Sequence, residues 1–186
     1  MEEPKYLVCQ FLLAMPGMSD PRFDKAVIAM CVHDDGGALG IGLGRLMPRI
    51  GFHSLLKQLG IAPGVAPDAA IHVGGPVEPQ RGFILHSRDW GGQGSVQVAD
   101  RWVLTATLDI LRAIAEGRGP TRWVAALGYA GWGTGQLEQE MCGNGWFTTP
   151  GNDELLYDCD VNSRWTTAFR SAGVDPRLLT ADFGTA

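Results

Sequence analysis

Residues 123–130 alternate in the manner of an extended chain, with Trp123, Ala125, Leu127 and Tyr129 facing one way and Val124, Ala126, Gly128 and Ala130 the other. The second face carries almost no side chain, so a neighbouring element must pack closely over it. Gly131, Gly133 and Gly135 then alternate around Trp132 and Thr134. Residues 136–142 turn helical, with Thr134 or Gly135 as the cap and Glu138 in the first turn, where the helix dipole favours negative charge. Strand, glycine turn and helix follow in that order. The backbone N–H groups of such a turn either hold an anion or form a tight corner.

The same patterns predict the rest of the chain. Residues 5–14 form an apolar, central strand, and residues 26–32 a second. Asp34-Asp35-Gly36-Gly37 is a hairpin turn leading to a strand over 38–43, on which Gly40, Gly42 and Gly44 share a closely covered face. Residues 45–49 read as a solvated loop carrying Arg45 and Arg49. Helices are predicted over 53–59, over 107–116 with Thr107 as cap, and over 163–172, where Trp165, Ala168, Phe169 and Ala172 keep helical spacing. Further strands fall at 69–73, 82–86, 95–98, 101–104 and 146–149, with an edge strand at 155–157. Residues 181–186 read as a loose end. About eight or nine strands come in runs with four helices between them. The expected class is therefore α+β, with a mixed, largely antiparallel sheet curled into a partial barrel. A doubly wound parallel sheet is the alternative.

Length and charge narrow the function. The 186 residues suggest one domain over 1–186. A net charge of −5 argues against nucleic acid as a partner. Glu2 and Glu3 before the apolar run at 6–18 do not suit a signal peptide, and no run reaches transmembrane length. Cys9, Cys31, Cys142 and Cys159 are widely spaced and form no C-x-x-C pair. They read as reduced thiols of a cytoplasmic protein.

Candidate chemistry is sparse. Cys31, His33 and the carboxylates of Asp34 and Asp35 give no second ligand pair at zinc spacing, so no metal is expected, and no cofactor motif is present. His86 and Ser87 are neighbours in a strand and point to opposite faces. Glu138 and Glu140 lie on different faces of their helix. Trp123 and Trp165 read as core anchors, and Trp90 and Trp132 as tryptophans of glycine-rich loops.

Four segments resemble the bacterial YqgE/AlgH family. They are LLAMPGMSDPRFDKAVIAMCVHDDGGALGI (12–41), GGPVEPQRGFILHS (74–87), TLDILRAIAEGRGP (107–120) and ALGYAGWGTGQLEQEM (126–141). Glu154 to Asp158 and Arg164-Trp165 agree as well. The resemblance implies a bifurcated sheet forming a pseudo-barrel, a bacterial cytoplasmic protein, and the label of a putative transcriptional regulator without an accepted activity. Gly44-Arg45-Leu46 stands where the family commonly has Asn-Arg-Pro, and Gly184-Thr185-Ala186 where it ends in Gly-His-Ala. No role of that Asn or terminal His carries over. Family-like positions available for a shared site are His33, Arg45, Gly74, Gly75, His86, Ser87, Tyr129, Trp132, Gln136 and Glu138. With no complete catalytic constellation, the expected protein is a non-catalytic regulator, a monomer or weak homo-oligomer that binds a small ligand or a protein partner. The alternative is a hydrolase or transferase using His33 or His86 as base and Gly131 to Gly135 as anion cradle.

Overall fold

The computed structural model describes residues 6–18 and 20–179. Among the described residues, ten strands and four α-helices follow one another in the order β1 (Gln10–Ala14), β2 (Val27–Asp34), β3 (Gly37–Gly42), β4 (Leu46–Gly51), α1 (Phe52–Gln58), β5 (Ala70–Val73), β6 (Val77–His86), β7 (Val96–Val98), β8 (Trp102–Thr105), α2 (Leu108–Ala115), β9 (Trp123–Trp132), α3 (Gln136–Cys142), β10 (Trp146–Pro150) and α4 (Val161–Ser171). The strands make one curled sheet in the order β10-β1-β2-β3-β9-β6-β8-β7, with β5 also on β9 and β4 on β5. All pairings are antiparallel except the parallel pair β5–β9. The class is α+β, a half-barrel as the run of strands predicts.

One edge of β9 carries two different strands. Its first half pairs with β5, from Ile71↔Ala125 to Val73↔Leu127, and its last part pairs with β3, from Gly40↔Ala130 to Ala38↔Trp132. The sheet therefore forks between Leu127 and Ala130. Gly128 at this point has φ +77°, a left-handed conformation that suits glycine. It also shifts the strand's alternation. Val124 and Ala126 face the inner core, as does Tyr129 from the far side of the bulge, while Ala130 and Trp132 join a separate cluster with Leu137 and Trp146. Strict alternation through Tyr129 and Ala130 thus fails, because one left-handed residue reverses the faces beyond it.

The prongs approach as only glycine allows. The Gly42 N–H donates to the Gly74 carbonyl at 2.7 Å, and the Gly74 N–H to the Leu127 carbonyl at 2.8 Å. A Cβ on Gly74 would collide with the Gly128 carbonyl, and one on Gly128 with the Gly75 carbonyl. Gly128→Ala should therefore cost about 2 kcal/mol or more, combining left-handed strain with backbone overlap. Denaturant unfolding measures this, and a loss under about 0.5 kcal/mol would show that the fork relaxes freely.

Three apolar clusters fill the molecule. The inner one, around Trp102, Phe11, Phe83 and Phe169, lies within the curl and is closed by α4. The second packs α1 and α2 against β5, β6 and β9 through Phe52, Leu56, Ile110 and Ile114. The third covers the outer face of β1 to β3 beneath α3.

Several local expectations change. Residues 46–51 form β4, because pairing with β5 offsets the poor strand character of Pro48 and Arg49. Leu155 to Tyr157 lie in a π-helical turn, Glu154–Asp158, which buries Leu155 and Leu156 without a strand partner. Thr107 precedes α2, but its hydroxyl makes no capping bond and is buried without a partner. Trp123 and Trp165 are only half-buried, whereas Trp102 is fully buried and donates to Asp153 at 2.8 Å. Trp132 is the buried last residue of β9, not a loop tryptophan. Residues 181–186 lie outside the described residues. Among the described residues, no helix is long and apolar enough to cross a membrane.

Candidate functional site

The splaying of β3 from β5 leaves a wedge-shaped cleft of about 190 Å³. Gly42, Gly44, Val73 and Gly74 come from the two prongs, and Ala26 to Ile28 from β2 and its approach. Phe23 and Pro76 complete an apolar lining, while Arg22, Asp24 and Arg45 stand at the charged rim. Arg22 is committed to Asp20, which also accepts the Arg22 backbone N–H. Arg45 donates to the Arg22 carbonyl at 3.2 Å and has no carboxylate partner among the described residues. Of the ten sequence-derived positions, this cleft brings together Arg45, Gly74 and Gly75.

His33, Glu138, Trp132 and Gln136 gather instead where α3 meets β2 and β9. The Leu7 N–H donates to His33 Nδ1 at 2.9 Å, so Nε2 carries the proton and donates to Glu138 Oε1 at 2.6 Å. Gln136 turns its amide oxygen onto the Gly133 N–H at 3.0 Å and its amide nitrogen onto Glu140. Glu140 also accepts from Trp146 at 3.1 Å and from Trp132 at 3.4 Å. The chain's own amide thus occupies a donor of the glycine turn, and Glu138 and Glu140 serve different faces. Tyr129 lies within the fork, with its ring edge-on to Phe83.

His86 and Ser87 belong to a third locality. His86 Nδ1–H donates to the Ser87 carbonyl, and Nε2 accepts from Thr105, which in turn accepts from Ser95, each at 2.8 Å. Burial lowers the His86 pKa, consistent with this neutral form. The Ser87 hydroxyl points away, to Asp89 at 2.6 Å. Neither histidine named as a possible base lines the cleft at the fork.

Pattern reading misses the group that ties the fork from inside. Arg164 on α4 is buried, and all five of its N–H groups are used. Nε donates to Leu155 O, Nη1 to Leu43 O and His72 Nε2, and Nη2 to Leu156 O and Cys159 O. His72 Nδ1–H donates to Ala125 O at 3.1 Å. Burial, and then the charge of Arg164, hold the His72 pKa down to about 4. The one sequence signal was a cationic residue on the apolar side of the helical stripe at 163–172. For the cleft, no signal in the sequence brings Asp24 near Arg45, because their proximity depends on the turn of β2 and the fork.

Comparison with known proteins agrees over nearly the whole chain. Residues 11–177 match the family model described as AlgH-like. A UPF0301 protein of Rhizorhabdus wittichii is 60% identical over 186 residues, covering 100% of both chains. One of Novosphingobium aromaticivorans is 58% identical with the same coverage. The solution structure of the AlgH protein from Pseudomonas aeruginosa has a TM-score of 0.81 at 36% identity, covering 100% of this chain and 99% of that one. A Corynebacterium diphtheriae protein, DIP2367, has a TM-score of 0.75 at 21% identity, covering 92% and 90%, and supports the fold alone. The chain belongs to the AlgH-like family.

Proposed function

We propose that this protein is a non-catalytic, ligand-binding regulator whose site is the cleft at the fork of the sheet. The carrying observation is the rim of that cleft, where Arg45 has no carboxylate partner among the described residues and stands above an apolar lining. A small concave site with few polar groups suits recognition of a small molecule. His33 is engaged by Leu7 and Glu138, and His86 by Ser87 and Thr105, which supports a structural use of both rings. Ligand occupancy would favour the arrangement in which β3 and β5 meet, giving the regulatory role a physical basis.

The test is an amide-resolved titration of the protein with a set of small carboxylates, phosphates, amines and amino acids. The expected result is a response clustered at Gly42, Gly44, Gly74 and Gly75 that weakens at least about tenfold in Arg45→Ala, with the rest of the spectrum unchanged. If no compound perturbs these amides, the cleft is not the binding site.

A further inference from the structure

Two opposite charges at the rim of the cleft are not paired with each other. Asp24 and Arg45 both line it and both are exposed. They form no ion pair with one another, and neither has an ion-pair partner among the described residues. This contrasts with Arg22 in the same wall, which is closed by Asp20 at 2.8 Å. Asp24 follows the short 3-10 turn Pro21–Phe23, which fixes where its carboxylate leaves the chain. Arg45 follows the departing β3 and is tethered by a single N–H to the Arg22 carbonyl, leaving the rest of its planar fork open to a carboxylate. Beneath the rim, Phe23, Ile28, Val73 and Pro76 present apolar surface. The volume is on the order of six waters, too small for a nucleotide or a sugar phosphate.

A guest that satisfies this arrangement carries a negative and a positive group close together on an apolar body. We propose that the cleft binds a free α-amino acid with an apolar side chain. Its carboxylate pairs with Arg45, its ammonium with Asp24, and its side chain rests on the apolar lining. Two exposed charges give little to a ligand with only one matching group, because each pair at a solvated rim is weak by itself. Joined on one small molecule, they select the zwitterion. This inference rests on the cleft being the ligand site and assigns that site's ligand class.

The experiment titrates the full chain, observed by backbone amide shifts, with leucine, valine, leucinamide and N-acetylleucine. Leucinamide lacks the carboxylate and resembles a peptide N-terminus. N-acetylleucine lacks the ammonium and resembles a peptide C-terminus. The expected result is saturable shifts at Gly42, Gly44, Gly74 and Gly75 with leucine or valine, and at least about tenfold weaker binding of both blocked compounds. Arg45→Gln and Asp24→Asn should each weaken leucine about tenfold, and both variants should keep the wild-type amide pattern away from the cleft. Equal binding of a blocked compound would overturn the assignment in favour of a peptide terminus. A response to other small molecules but to neither amino acid would overturn it while leaving the cleft as the binding site. No response to any compound would remove both.

Discussion

Arg164→Ala lowers the free energy of unfolding by about 3–5 kcal/mol. The reason is the number of groups left behind. Four backbone carbonyls, those of Leu43, Leu155, Leu156 and Cys159, lose their donor, and His72 Nε2 loses a fifth bond. Arg164 is 3% exposed and most of these acceptors are buried with it, so water does not replace the guanidinium without rearrangement. Burial pushes the Arg164 pKa down from its ordinary value, but an arginine keeps its charge at any accessible pH. Its charge is spread over carbonyl dipoles instead of a carboxylate. Arg164→Lys should recover only part of the loss, because a lysine has three donors and no planar fork to reach both β3 and the π-helical turn. Urea unfolding of the three proteins measures the series. A loss below about 1 kcal/mol in Arg164→Ala would show that the fork holds without this contact.

Between about pH 6.5 and pH 4 the protein should lose about 3 kcal/mol of stability through His72. In the folded chain its pKa lies near 4, and in the unfolded chain near the ordinary 6.5. As pH falls below 6.5 the unfolded chain takes up a proton that the folded chain refuses, so unfolding becomes easier throughout that window. Below pH 4 both states hold the proton and this contribution levels off. His86 is shifted the same way by burial and steepens the fall. Asp89 and Asp175 have pKa values lowered chiefly by hydrogen bonds from Ser87 and Arg177, and they act at lower pH, below their ordinary value of 3.8. His72→Gln keeps an acceptor for Arg164 but cannot titrate, and it should remove the His72 part of the slope. Wild-type stability that stays level from pH 7 to pH 4 would contradict the buried neutral imidazole.

These two expectations concern one locality, and the sequence shows only half of it. The Gly-x-Gly spacing at Gly40, Gly42 and Gly44 announces close backbone approach, and the fork uses Gly42 in that way, against Gly74. Nothing in the alternation of residues 123–130 announces that Gly128 reverses the faces, because a left-handed residue leaves no mark on the pattern around it. Arg164 and His72 look unremarkable in sequence for a related reason. A buried cation is acceptable only where acceptors converge on it, and here they come from three separate segments, at Leu43, at His72 and at Leu155 to Cys159.

The sequence by itself determined the element types and the layer architecture. Period-two and helical spacing, with glycine and proline stops, place nine of the ten strands and all four helices, because those patterns reflect local burial. It also determined that the hairpin at Asp34 to Gly37 closes β2 on β3. The tertiary structure alone decided that β4 is a strand, since its partner β5 lies beyond α1. It alone decided that 155–157 is helical, and it chose the assignment of the candidate residues to three separate places. The glycine turn after β9 is filled by Gln136, while Arg45, Gly74 and Gly75 meet Asp24 across a fork. Pairings between distant segments depend on where a strand leaves its sheet. That is set by how the three apolar clusters close together, a property of the packed chain that no single stretch of it carries.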